Sequence, residues 1–199
     1  MQKIGLKYYE DFKERIPREE VEQLLDKFRK SAYQEVKGGE KVMSVEAAGS
    51  FRRGRPTCGD IDILITLKDG ADIKGLCEKL VIKLEKEGFL KERLGDFRYS
   101  TTGSEGYMGV CQLDQKHKFR RIDIKVYPMD QYGFALLYFT GSDKFNIKMR
   151  QDALDQGYSL SDHGLKPLNP GKKVASCPTE EDVFKVLGKP YKAPNERDI

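Results

Sequence analysis

The stretch GSFRRGRPTCGDIDILIT, residues 49–66, limits the possible folds more than any other part of this chain. Apolar residues at 61, 63 and 65 alternate with Asp60, Asp62 and Leu64, which is the pattern of a β-strand with one buried face. Successive side chains of a strand point to opposite faces, so Asp60 and Asp62 lie on one side, about 7 Å apart. Two such carboxylates repel each other unless a cation lies between them, and all-oxygen sites of this kind suit Mg²⁺.

A candidate phosphate-binding segment precedes this strand. The Gly49-Ser50 turn can bring backbone N–H groups and a hydroxyl close to an anion, and arginines at 52, 53 and 55 add positive charge. Gly59 stands immediately before the first aspartate. A bare pair of aspartates is more simply the solvated face of an edge strand, but that interpretation leaves the glycines and arginines unexplained. Phosphate binders beside metal ligands are what phosphoryl transfer from a nucleotide requires.

A third carboxylate lies on another predicted strand, residues 121–127. Apolar residues at 122, 124 and 126 face one way there, and Arg121, Asp123 and Lys125 face the other. One aspartate on a strand is weak support by itself, because a solvated face explains it equally well. If the two strands are neighbours, however, Asp123 lies beside Asp60 and Asp62 and completes the three carboxylates of a two-metal site.

The remaining pattern predicts an α+β fold in two parts. A helix with a 3.6-residue apolar period runs from Pro17 to Val36, and a second one centres on residues 76–84. Strands are predicted at 41–48, 89–93 and 107–113, which gives a mixed sheet with helices packed on one face. After Pro128 the chain reads as helical over 130–157 with a break at 140–142, and Thr179 to Asp182 resembles a capping box. We therefore expect subdomains at 1–129 and 130–199.

Charge and cysteine usage narrow the function classes. The formal net charge of +4 is modest for a nucleic-acid binder, but basic residues gather at 52–55, at 116–125 and at 144–150. Each cluster is consistent with a nucleic-acid surface and also with an ordinary solvated surface. The four cysteines are scattered and there are two histidines, so a zinc site is not expected. The N-terminal residues lack the apolar core of a signal peptide, and no run is long enough to span a membrane. An intracellular location is expected, with the cysteines as thiols.

Seven sequence blocks occur in one order along the chain: IPREEV, GSFRRG, GDIDILIT, GVCQL, RRIDI, YFTGS and PYKAPNERD. Together they resemble family X DNA polymerases, the group that includes DNA polymerases beta and lambda and terminal transferase. The resemblance implies a nucleotidyltransferase palm at 1–129 and a small α+β nucleotide-binding subdomain at 130–199, called thumb or fingers. It also implies template-directed addition of deoxynucleotides to a primer 3′-hydroxyl by two-metal phosphoryl transfer, with short-gap-filling repair as the setting.

The same resemblance implies cofactors, partners and residue roles. The cofactors are two Mg²⁺ ions, with Mn²⁺ as a substitute, and the partners are gapped or primer-template DNA and a deoxynucleoside triphosphate. A monomer is expected, in the nucleus if the organism is eukaryotic. The metal ligands are Asp60, Asp62 and Asp123, with Arg121 beside the primer end. The nucleotide contacts are Gly49, Ser50, Arg53, Gly59, Tyr138, Phe139, Gly141, Asp143 and Asn146. The DNA contacts are Lys125, Lys148 and Arg150. A cis peptide is implied at Gly141-Ser142.

Some positions depart from the family pattern. Lys125 stands where the beta enzyme has arginine, Cys58 takes a small-residue position, and Asp162-His163 replaces a Glu-Tyr pair. The lyase domain and the DNA-binding module that precede this region in the family are not recognised, so we expect weak, salt-sensitive DNA binding and no preference for a 5′-phosphorylated gap. Two alternatives stay open: a non-catalytic DNA-binding or scaffold fragment, and another nucleotidyltransferase such as a terminal transferase.

Overall fold

The computed structural model describes residues 2–173 and 176–199, so residue 1 of the predicted first subdomain and residues 174–175 of the second lie outside the described residues. The helices are α1 (Gln2–Lys7), α2 (Tyr9–Lys13), α3 (Arg18–Tyr33), α4 (Gly49–Arg52), α5 (Leu76–Lys86), α6 (Met129–Thr140), α7 (Asp143–Asp155) and α8 (Glu180–Val186), with 3₁₀ turns at Gly39–Lys41 and Pro194–Arg197. The strands are β1 (Ile16–Pro17), β2 (Met43–Ala47), β3 (Thr57–Cys58), β4 (Ile61–Leu67), β5 (Leu90–Arg93), β6 (Arg98–Tyr99), β7 (Glu105–Cys111), β8 (Arg120–Val126), β9 (Tyr158–Leu160) and β10 (Leu165–Pro167).

A mixed six-stranded sheet organises the first part of the molecule. Its order is β2-β4-β8-β7-β5, and β6 pairs with β7 beside this path. Strands β4 and β8 are parallel, whereas the other neighbours in the sheet are antiparallel. The two strands that were predicted to carry acids are therefore adjacent, with Asp62 directly opposite Asp123.

Helices α3 and α5 cover one face of this sheet. Their apolar stripes are buried against β4 and β8, with Phe28, Leu80, Ile63 and Ile124 each almost fully enclosed. The opposite face carries the acids, and α6 from the second part of the chain packs on it around Leu64. The predicted α+β class, a mixed sheet with helices on one face, is confirmed.

Several element boundaries differ from the sequence prediction. Helix α3 ends at Tyr33 rather than Val36, because the N–H of Glu35 donates to Ala32 O and tightens the last turn. Asp60 lies immediately before β4 rather than inside it. The predicted Gly49-Ser50 turn forms the start of the short helix α4. Strand β6 was not predicted, since it has two exposed residues and no apolar alternation.

The second part of the chain packs α6, α7, α8 and the β9–β10 hairpin around a separate core. Phe134, Phe145 and Phe184 are buried in it. The predicted helix break is confirmed: the Gly141–Ser142 peptide is cis, and the Ser142 hydroxyl caps α7 by accepting from Phe145 N. The predicted capping box at the start of α8 is also present, between Thr179 and Asp182.

Cys58, Cys77 and Cys111 are buried free thiols, and Cys177 is buried as well. Burial raises the pKa of Cys77 and of Cys111 to about 12, so neither is a reactive thiolate at neutral pH. Within residues 2–173 and 176–199, no helix combines the length and the apolar character that crossing a membrane requires.

Candidate active site

Three carboxylates meet on the sheet face that α3 and α5 leave uncovered. Asp62 and Asp123 are paired residues of the parallel strands β4 and β8, and Asp60 precedes β4 by one position. Facing residues on neighbouring strands are about 4.8 Å apart at the backbone, so their side chains share one small region. All three side chains are half-buried, while the isoleucines between them anchor both strands in the core.

Two cations belong to this carboxylate cluster. Arg121 Nη2 lies 3.3 Å from Asp60 Oδ2, and Lys125 Nζ lies 3.4 Å from Asp62 Oδ1 and 3.7 Å from Asp123 Oδ2. Lys125 was predicted as a DNA contact, but its ammonium faces the carboxylates, because it stands two residues after Asp123 on the same face of β8.

Burial and mutual repulsion make the cluster unfavourable for negative charge. Burial raises the pKa of Asp60, repulsion from Asp62 raises it further, and the nearby Arg121 opposes both effects. Burial likewise raises the pKa of Asp123, and Lys125 is the main opposing charge. The protein thus keeps several acids together at an electrostatic cost, which positive charge relieves.

The donor chemistry of the cluster fits a hard divalent cation. It consists of carboxylate oxygens from three residues, which is the ligand type that Mg²⁺ and Mn²⁺ prefer. In the described part of the chain, no three His, Cys, Asp or Glu side chains are arranged around one metal-sized point. The carboxylates instead face Arg121 and Lys125. The guanidinium and the ammonium of these two residues supply the positive charge that balances the carboxylates.

The segment around Gly49 lies against the carboxylates. The N–H of Ala48 donates to Asp62 O at 2.8 Å, which ties the start of α4 to β4. Gly49 has φ +61°, and a Cβ there would lie 2.9 Å from Asp62 Oδ2. Glycine therefore permits both the left-handed backbone and the close approach of this segment to the aspartate. Ser50, also predicted here, is half-buried on the first turn of α4.

The three arginines after Gly49 have different environments. Arg52 donates to Thr140 Oγ1 and pairs with the buried Glu180. Arg53 donates from Nη1 to Thr140 O at 2.7 Å and from Nε to Asp198 at 2.8 Å. The residue pattern gave the three arginines one role, positive charge, and the family resemblance added a nucleotide contact for Arg53; the structure shows that Arg52 is part of the packing between α4, α6 and α8.

Arg15 is a basic residue near the cluster that the sequence analysis missed. It donates from Nε to Thr57 Oγ1 at 2.7 Å and from Nη2 to Thr57 O at 3.0 Å. Strands β1 and β3 pair next to it, and its Nη1 lies 3.9 Å from the point that a Cβ on Gly59 would occupy. The sequence offered one indication of this position: Arg15 comes directly before Ile16, the buried first residue of the IPREEV block.

Helix α6 forms a wall beside the carboxylates. The Phe139 ring lies 4.4 Å from Lys125 Nζ and 5.0 Å from the ring of Tyr138. A Cβ on Gly141 would be 3.1 Å from Arg53 Nη1, so this glycine leaves room for the guanidinium. Phe139 and Gly141 thus connect the predicted sugar pocket to the carboxylates and to Arg53.

The other predicted contacts of this subdomain lie along α7. Asn146 is buried and donates to Tyr138 O at 2.7 Å, and the Arg150 guanidinium lies 5.8 Å from the Tyr138 ring. Asp143 and Lys148 are exposed on α7. Tyr138 therefore contacts Phe139, Asn146 and Arg150, and Phe139 in turn lies beside Lys125 of the carboxylate cluster.

Comparisons with known proteins agree with this arrangement. Residues 15–129 match the family described as DNA polymerase beta palm, and residues 135–198 match the family described as DNA polymerase beta thumb. DNA polymerase lambda of Rattus norvegicus is 44% identical over 209 aligned residues, which cover 99% of this chain and 35% of that protein. DNA polymerase lambda of Arabidopsis thaliana is 38% identical over 214 aligned residues, which cover 100% of this chain and 39% of that protein. The chain thus spans less than two-fifths of the length of these curated relatives.

Proposed function

This chain belongs to the DNA polymerase beta family, as the resemblance to family X predicted, and we propose that it is the catalytic core of a template-directed DNA polymerase. The single observation that carries the proposal is the register of β4 and β8, which sets Asp62 opposite Asp123 with Asp60 adjacent. A scaffold has no need for three half-buried acids in which Asp62 helps to raise the pKa of both Asp60 and Asp123.

The three aspartates hold the divalent cations in this proposal. Once bound, two such ions neutralise developing charge on the transferred phosphate and help to deprotonate the attacking hydroxyl. Arg121 and Lys125 compensate the carboxylates until a cation arrives, because each already lies within 4 Å of an aspartate oxygen. Mg²⁺ is the proposed physiological ion, and Mn²⁺ a substitute, since both favour oxygen ligands.

The nucleotide is proposed to bind between α4 and α6. Its triphosphate is contacted by Arg53, by Arg15 beside Gly59, and by the segment at Gly49-Ser50. Support comes from the close approach of Gly49 to the Asp62 carboxylate, of Arg15 to Gly59, and of Arg53 to Gly141. The sugar and base are proposed to lie against Tyr138, Phe139 and Gly141, with Asp143 and Asn146 on the adjoining helix. We propose that the bulk of this aromatic pair beside a glycine admits a deoxyribose and excludes a 2′-hydroxyl.

DNA is proposed to reach the site from two sides. The primer end lies near Arg121, and the template strand passes Arg150 and Lys148 on the exposed face of α7. We further propose gap-filling repair as the setting and the nucleus as the compartment. Both relatives carry the name DNA polymerase lambda, and that name is the support for this part of the proposal. A monomer and salt-sensitive DNA binding stay predictions.

Primer extension tests the proposal. The protein, Mg²⁺ and one deoxynucleoside triphosphate are mixed with a recessed primer on a template, and with the same primer alone. We expect addition of the templated nucleotide on the duplex and little addition to the single strand. Equal addition to both substrates would favour a terminal transferase, and no addition under any metal would favour a non-catalytic fragment.

A further inference from the structure

Asp198 bridges two arginines of the segment proposed to bind phosphate. Its Oδ1 accepts from Arg53 Nε at 2.8 Å, and its Oδ2 accepts from Arg55 Nε at 2.8 Å. One carboxylate therefore joins the tail of the chain to α4 and the residues after it, which are 145 positions away in sequence. The two hydrogen bonds lower the pKa of Asp198, so the bridge is charged at neutral pH.

The backbone on both sides of Asp198 is anchored. The N–H of Ser142 donates to Arg197 O at 3.2 Å, and the Ser142 hydroxyl donates to Ile199 O at 3.0 Å. The Arg197 side chain is fully buried and pairs with Glu180. Since residues before and after it are fixed, Asp198 presents its carboxylate to the arginines from a defined position.

The bridge leaves part of Arg53 available. Its Nε binds Asp198 and its Nη1 binds Thr140 O, while Nη2 has no protein hydrogen-bond partner within the described ranges. A guanidinium carries five N–H donors in one plane, so two fixed points determine the direction of the remaining ones. Arg53 is only slightly exposed, whereas Arg55 is half-exposed. Without Asp198, Arg53 would keep a single anchor and could rotate away.

We propose that Asp198 is a positioning residue that orients Arg53, and secondarily Arg55, towards the polyphosphate of the bound nucleotide. This inference rests on the proposed function for the identity of the ligand, a nucleoside triphosphate. It assigns to the C-terminal residues 197–199 a role in nucleotide affinity rather than in the chemical step. In this proposal Asp198 acts only through the two arginines that it binds.

Asp198→Asn is the central variant. The asparagine keeps the size of the side chain but places an NH₂ group, a donor, opposite one of the two arginine N–H donors. Two measurements are made: binding of inorganic tripolyphosphate by calorimetry, and the KM and kcat for the templated nucleotide in primer extension. We expect tripolyphosphate binding to weaken about five- to tenfold, the range of one ordinary hydrogen bond, because Arg53 keeps its anchor on Thr140, and KM to rise equally with kcat within twofold. Asp198→Glu should recover part of the loss.

Asp155→Asn is the matched control, because it removes one exposed carboxylate near the end of α7 and changes the net charge equally. Both variants should retain the wild-type melting temperature within about 2 °C, since Asp198 is a partly exposed residue. Unchanged tripolyphosphate binding in Asp198→Asn would overturn the inference, whatever the polymerase assay gives. Weakened binding together with no extension by the wild type would sustain the inference and reject the polymerase proposal.

An Arg53→Gln variant should lose tripolyphosphate affinity, and adding Asp198→Asn to it should lower that affinity little further. An additive loss in the double variant would contradict the proposal that Asp198 acts through Arg53.

Discussion

Replacing Gly49 by alanine should have two effects: strain in the backbone and displacement of the Asp62 carboxylate. Gly49 has φ +61°, a region that costs a residue with a Cβ about 1–2 kcal/mol. The new methyl group would also lie 2.9 Å from Asp62 Oδ2, so the carboxylate must move by roughly 0.5 Å to reach ordinary contact. We expect the free energy of unfolding to fall by about 1–2 kcal/mol, which lowers the melting temperature by roughly 2–8 °C for a chain of this size.

Gly70→Ala is the matched control for this substitution. Gly70 has φ +76° in the exposed turn after β4, and a Cβ there meets nothing within 4 Å. Both variants should lose similar stability in thermal or urea unfolding, but Gly49→Ala alone should lose most of its nucleotide-addition rate, since it displaces Asp62. If the two variants kept the same specific activity, the close approach of this segment to Asp62 would have no role in the reaction.

Two further substitutions test other parts of the molecule. Glu180→Gln leaves Arg52 and the fully buried Arg197 without their carboxylate, so we expect a loss of about 3–5 kcal/mol in urea unfolding, and a loss below 1 kcal/mol would contradict the ion pairs described. Alanine at both Tyr138 and Phe139 should raise ribonucleotide incorporation relative to deoxynucleotide in primer extension, because aromatic bulk beside the proposed sugar pocket is removed. An unchanged ratio in a protein that is still active would return the two aromatic residues to a packing role.

Local patterns in the sequence were sufficient for the elements that carry the acids. The alternation around Asp62 and Asp123 predicted two strands with one buried face, and the structure has both, side by side. The apolar period of α3 predicted its buried stripe, and Thr179 was recognised as the start of a capping box. Each of these features depends on residues within about one or two turns of each other, so single-sequence reasoning can find them.

Contacts between distant residues could not be found in the same way. Arg53 and Asp198 are 145 positions apart, and Arg52 and Glu180 are 128 apart, so nothing local marks either pair. Buried Arg197 looks like an ordinary charged tail residue in the sequence, because a charge is enclosed only when a partner is supplied by the fold. The sequence placed Lys125 on the same face of its strand as Asp123, but its contact with Asp62 depends on the pairing of β4 with β8 and could not be read locally.

Nucleotide addition by Asp123→Ala, compared with wild type and with Asp26→Ala, tests the central claim most directly. Asp26 is an exposed aspartate on α3, the helix that covers the opposite face of the sheet, so it controls for loss of one carboxylate. We predict that Asp123→Ala folds normally, because a half-buried acid is removed from a polar face, and that its addition rate with Mg²⁺ falls on the order of a thousandfold. Asp26→Ala should match wild type. A near wild-type rate in Asp123→Ala would show that Asp60, Asp62 and Asp123 are not the catalytic metal site.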